Sequence, residues 1–228
     1  MTAGTDDVVF LQCGNPELSR NEIENLCAKA ARGAGLSWGH ADDAGFAAGW
    51  LHAHGIDGVG LLASHLAQID EVDWSDLSPV VSAGDWSADD EAPLCPIAVG
   101  TTLSDFCDLP EGRLDQGLRI GPITQPLLVI PFLSRISSHL GCGITVDIDA
   151  RRIYVAADGL TGDMSFIGAL SACYLKLGHA ERPVPAAQPN YHCDPGAIAA
   201  LGSFALRTTV PPSENSRADA GTDQSDND

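Results

Sequence analysis

Gly143-Ile144-Thr145-Val146-Asp147-Ile148-Asp149-Ala150-Arg151-Arg152-Ile153-Tyr154-Val155-Ala156-Ala157 decides the fold class. Ile144, Val146 and Ile148 alternate with Thr145, Asp147 and Asp149, the two-residue period of a strand with one buried face. The chain then turns near Asp149–Arg151 and an apolar run returns, so the stretch predicts a β-hairpin. Two cations, Arg151 and Arg152, fall at its tip. Upstream, Pro126 to Leu140 is strongly apolar, and its periodicity fits a buried helix or a strand pair equally well. Downstream, Ser165 to Leu177 fits a further strand or a helix, and the Pro-rich stretch Pro183 to Pro189 reads as a connector. Asp194-Pro195 opens a last helix, with Asp as N-cap and Pro at the first helical position. Its core-facing residues are Ile198, Leu201 and Ala205.

The N-terminal part has a helical texture. Val8 to Leu11 is a short apolar run that suits a strand. Ser19-x-x-Glu22 is a capping box, followed at helical spacing by Ile23, Leu26, Cys27, Ala30 and Ala34. A helix is predicted over Ser19–Ala34. A second runs from Ser37 to about His54, with small residues that suit close packing, and a third covers Gly60 to Ile69. Residues 70–93 then hold eight acids and no Lys or Arg, with Asp-Trp-Ser at Asp73 and again at Asp85. They read as an acidic linker whose two Trp anchor it to the body. The predicted class is therefore α+β: a helical part over 1–69, the linker, a mixed part over 94–206 and a polar acidic tail over 207–228. One compact unit accommodates the same pattern.

The 228 residues carry a formal charge of −19, from 31 acidic and 12 basic side chains. So acidic a surface repels nucleic acid and anionic lipid, which excludes both as partners. No apolar run approaches the roughly 20 residues of a membrane span. Met1 to Asp7 lacks a secretory pattern, and a cytoplasmic protein is expected. Seven Cys at wide spacing, without a Cys-x-x-Cys pair, suit neither a disulfide framework nor a zinc ribbon. His40, His52, His54 and His65 form no i, i+4 pair, so no metal site is expected.

Three groups of residues carry candidate chemistry. His139 and Cys142 stand three apart with Gly on both sides of the Cys, an arrangement that suits an activated thiol. His192 lies in Tyr191-His192-Cys193-Asp194, just before a helix N-terminus that favours an anion or thiolate. Arg151 and Arg207 are scarce cations in an acidic chain. With Ser213, Glu214 and Arg217 of the tail, they are candidate ligands for a small carboxylate or phosphate, provided the tail folds back; a solvated tail is the alternative. No dinucleotide fingerprint, phosphate-binding P-loop, hydrolase elbow or His-Glu-x-x-His helix occurs.

The segment Leu18-Ser19-Arg20-Asn21-Glu22, Ala34-Gly35-Leu36, His40-Ala41, Ala44, Leu51, Ala53 and Gly55-Ile56 resembles the N-terminal helical region of the type-2 malate/lactate dehydrogenases. That family acts on small 2-hydroxy and 2-keto acids with NAD(P). Its catalytic His follows this region in a Ser-His-Gly sequence; Asp57-Gly58-Val59-Gly60 stand here instead, so hydride transfer does not carry over. As a whole the chain resembles a family of uncharacterised bacterial proteins, on Glu22 to Gly58 and on Arg207-Thr208, Val210-Pro211, Ser213-Glu214, Ser216-Arg217 and Asp226-Asn227-Asp228. The resemblance implies a patterned tail and brings no activity with it.

The leading expectation is a cytoplasmic metabolic protein that binds a small anionic metabolite, with or without catalysis. A non-catalytic accessory protein using its acidic surface and tail, and a diverged NAD(P)-dependent oxidoreductase, are the alternatives. The cofactor stays unknown, and a protein partner or a homo-oligomer stays open.

Overall fold

The computed structural model describes residues 18–70, 72, 74–88, 92–148, 151–162, 172–180 and 193–209. The candidate strand at Val8 to Leu11 and the tail beyond Thr209 lie outside them. The fold is α+β: helices first, then strands with two helices among them, and a final helix.

Helix α1 spans Arg20–Gly33 and starts at the expected capping box. Ser19 Oγ accepts the Glu22 amide at 3.3 Å, and the Glu22 carboxylate accepts the Ser19 amide at 2.8 Å. Two of the amides that a helix start leaves unpaired are thus satisfied. Helix α2, Trp38–Ala53, is capped by Ser37. Its Ala and Gly residues are buried along most of the helix, because it lies between α1 on one side and deeper helices on the other. Helix α3, Gly58–Ile69, is capped by Asp57, whose Oδ1 accepts the Gly60 amide at 2.8 Å. The acidic segment adds a short helix α4, Trp74–Leu77, and a two-residue strand β1, Asp85–Trp86. Trp86 is fully buried, and its indole donates to the Glu111 carbonyl at 3.2 Å.

Helices α5, Pro96–Phe106, and α6, Ile130–Leu140, pack on each other and on α2. For Pro126 to Leu140 the helix wins over the strand pair. Gln125 turns the chain with φ 42°, Pro126–Val129 form a 3-10 turn, and Pro131 occupies the first turn of α6, where its missing amide costs nothing. Gly141 ends α6 with φ 66°. Helix α7, Pro195–Leu206, is capped by Asp194 as expected and returns to α1 and α3.

The sheet runs in the order β1-β2-β6-β3-β4-β5. Its strands are β2, Leu118–Thr124; β3, Gly143–Ile148; β4, Arg151–Ala156; β5, Gly159–Thr161; and β6, Ala172–Ala180. β1 joins β2 in parallel, and every other pairing is antiparallel. The hairpin β3–β4 forms as expected, and its register sets Ile144 opposite Val155, Val146 opposite Ile153 and Asp147 opposite Arg152. One face of the sheet, with Leu118, Ile120, Ile144, Val146, Ile153, Val155, Leu175 and Leu177, is buried. α6 packs against β3 and β4, so α5 and α6 form a layer between the sheet and the N-terminal helices. Apolar residues from all three layers join one core, from Ile23 and Leu51 to Phe132 and Val155. Burying each such side chain contributes about 1.5–3 kcal/mol, and this contact holds the layers together.

Candidate functional site

The opposite face of the sheet carries the polar half of each alternating strand. The register sets Arg119 of β2 beside Lys176 of β6, Lys176 beside Asp147 of β3, and Asp147 beside Arg152 of β4. These residues form a row across four strands. With Arg151, Tyr174 and Leu175 they line a cleft of about 620 Å³. Four of the chain's 12 basic residues thus meet at one site, in a protein of charge −19.

Two carboxylates organise the cations. Arg152 grips Asp147 through Nε at 2.5 Å and Nη2 at 2.8 Å. That hydrogen bonding holds the Asp147 carboxyl below its usual range and raises the Arg152 guanidinium above its own. Arg119 reaches Asp85 at 3.1 Å and stacks its guanidinium 3.7 Å above the Tyr174 ring. These pairs are exposed and contribute little to stability. Their effect is positional: they hold two planar forks on a rigid sheet. A guanidinium fork matches the two oxygens of a carboxylate or phosphate. Lys176 adds a point charge between them, and Arg151 adds a third guanidinium at the hairpin end.

Of the residues singled out in the sequence, Arg151 lines this cleft. Arg207 does not. It follows α7 and binds Asp70 at the end of α3 through two bonds of 2.6 and 3.0 Å, over the Phe204 ring. The hydrogen bond from Arg207 lowers the Asp70 pKa. Ser213, Glu214, Arg217 and His192 lie outside the described residues. His139 is exposed, with Nε2 2.7 Å from Asp108 Oδ2. Cys142 lines a separate cleft of about 310 Å³ with Ser137, Ala157 and Asp158. Burial raises its thiol pKa, the direction opposite to activation.

Arg119 and Lys176 were not singled out, because each sits in its own strand and the row exists only across the pairing. Their signal was the alternation itself: an odd charged residue between apolar neighbours in Leu118-Arg119-Ile120 and in Leu175-Lys176-Leu177.

A second constellation lies in the core. His65 Nε2 is 3.1 Å from Cys95 Sγ, and His65 Nδ1 is 3.1 Å from Thr124 Oγ1. Thr124 donates its proton to the Leu94 carbonyl at 3.2 Å, so it accepts from Nδ1–H, and Nε2 accepts from the thiol. The chain Cys95–His65–Thr124–Leu94 is therefore fully paired with His65 neutral. Burial lowers His65 to about 4 and pushes Cys95 up to about 12. Cys95 and His65 have no exposed surface, so the arrangement is structural in the state observed.

A family described as "Protein of unknown function (DUF3726)" matches residues 18–92. The match spans α1 to α4 and β1, and of the cationic row and its partners it includes only Asp85. No curated protein and no solved structure matches the chain. Among the described residues, no helix is long and apolar enough to cross a membrane.

Proposed function

We propose that this protein binds a small polyanionic metabolite, a di- or tricarboxylate or a phosphorylated acid, in the cleft on the polar face of its sheet. The observation that carries this reading is the convergence of Arg119, Arg151, Arg152 and Lys176 on one cleft of a chain with so few cations. A volume of about 620 Å³ suits a metabolite-sized ligand. Arg119 and Arg152 act as oriented forks, Lys176 neutralises a further negative group, and Tyr174 supplies an apolar wall. The acidic remainder of the surface repels large polyanions, which favours a small ligand over nucleic acid.

The setting in this reading is bacterial and cytoplasmic. The proposal stops at binding: among the described lining residues the one carboxylate, Asp147, is held by Arg152.

The test is calorimetric titration of the purified protein with citrate, pyrophosphate and a neutral polyol. Binding of an anion, absent for the polyol and weakened about tenfold in Lys176→Ala and in Arg119→Ala, is expected. Wild-type affinity in both variants, or no heat with any anion, overturns it.

A further inference from the structure

We propose that Cys107, Asp108 and His139 form a three-ligand site for a divalent transition-metal ion of the zinc class. The proposal is independent of the anion cleft, since the two sites share no residue. One ligand atom from each of these side chains lies within 4.8 Å of both others. Zinc bound to sulfur at about 2.3 Å and to nitrogen or oxygen at about 2.0–2.2 Å holds its ligands roughly 3–4 Å apart. Small rotations of these side chains, two of them exposed and Cys107 half-buried, therefore close the set.

The fold brings these residues together through two packed helices. Cys107 and Asp108 directly follow α5, and His139 lies in the last turn of α6. α5 and α6 pack side by side, so both C-terminal ends meet at this corner. The last carbonyls of a helix carry partial negative charge and favour a cation. Asp105 adds a further carboxylate beside Cys107.

The donor chemistry selects the ion. A thiolate and an imidazole are poor ligands for magnesium or calcium and good ones for zinc, cobalt or copper. In the metal-free state the groups have weaker partners: the Cys107 thiol donates to the Ser104 carbonyl at 3.3 Å, and His139 shares its hydrogen bond with Asp108 at 2.7 Å. Three protein ligands leave a fourth position for water or another small ligand. The sequence conceals the site because its two halves are separated by the whole of β2, and no paired-Cys or paired-His spacing marks it.

The experiment uses chelator-treated protein, titrated with zinc by calorimetry and with cobalt by absorption. One equivalent of each is expected, with a thiolate-to-cobalt charge-transfer band. Cys107→Ser and His139→Ala should each lower zinc affinity by about tenfold or more, and the band should vanish in Cys107→Ser. Cys142→Ser, a nearby thiol outside the set, should change neither readout. Asp108 and His139 are exposed, so their variants should melt close to the wild type; Cys107 is half-buried against the core, and if Cys107→Ser fails to fold, Asp108→Asn and His139→Ala carry the test. No zinc uptake, or uptake unaltered in the ligand variants, overturns the proposal.

Discussion

His65 sits between a thiol and a hydroxyl in a site that excludes water, and its neutral form is the one the network accepts. Its pKa of about 4 lies below the ordinary value of 6.5. Above about pH 6.5 folded and unfolded chains both hold it neutral. As pH falls from there toward about 4, the unfolded chain takes up a proton that the folded chain refuses, so folding stability is lost through that window. The full effect is on the order of 3 kcal/mol. Relief of self-repulsion among the acids acts in the opposite sense, so the comparison needs a reference. His65→Gln removes the titration and also a well-paired side chain. Chemical denaturation should show the variant less stable near neutrality, with the gap narrowing by about 2 kcal/mol near pH 5. A gap that stays constant across this range would sink the account. None of this was legible in the sequence. His65 looked like one of several isolated His, and its partners Cys95 and Thr124 are distant along the chain.

Elements were more legible than sites. The capping box, the Asp-Pro start of α7 and the alternation of β3 are local signals, and local physics suffices to read them. Pro126 to Leu140 was ambiguous because its apolar residues run unbroken to Leu133 before Arg135, Ser138 and His139 mark the exposed face, and the decision came from turn geometry at Gln125 and Gly141. Crossings between elements also depend on tertiary approach. A Cβ on Gly33 of α1 would fall on the Phe204 carbonyl oxygen of α7, a backbone atom that cannot swing aside. Gly33→Ala gains about 1 kcal/mol of helix propensity but forces the two helices apart, at a cost of about 1–3 kcal/mol and often more for a backbone clash. A net loss in urea unfolding is expected. Gly202→Ala, on α7 with nothing within 4 Å of its Cβ, should instead gain up to about 1 kcal/mol. Equal responses at the two glycines would show that the α1–α7 approach is not tight.

At the scale of the molecule, charge governs behaviour. A net −19 places most exposed charges among like neighbours. Added salt shortens the range of that repulsion, to about 8 Å at physiological ionic strength. Raising sodium chloride from about 10 to 150 mM should therefore raise the melting temperature of the free protein. The same screening should weaken anion binding at the cationic cleft. A melting temperature that falls with salt would mean that the ion pairs, such as Arg207–Asp70 and Arg119–Asp85, outweigh the repulsion.

The sequence by itself determined the class of fold, the caps of α1, α2 and α7, the hairpin with the place of its turn, and the excess of acid. Each of these depends on neighbours within a few positions or on a simple sum over the chain. Only the tertiary structure decided which scarce cations share a face, which His and Cys are sealed in the core, and which thiol meets a carboxylate and an imidazole at a helix corner. Strand order and helix packing set those meetings. Lys176 joins Arg119 and Asp147 because β6 inserts between β2 and β3, a pairing that no local signal encodes.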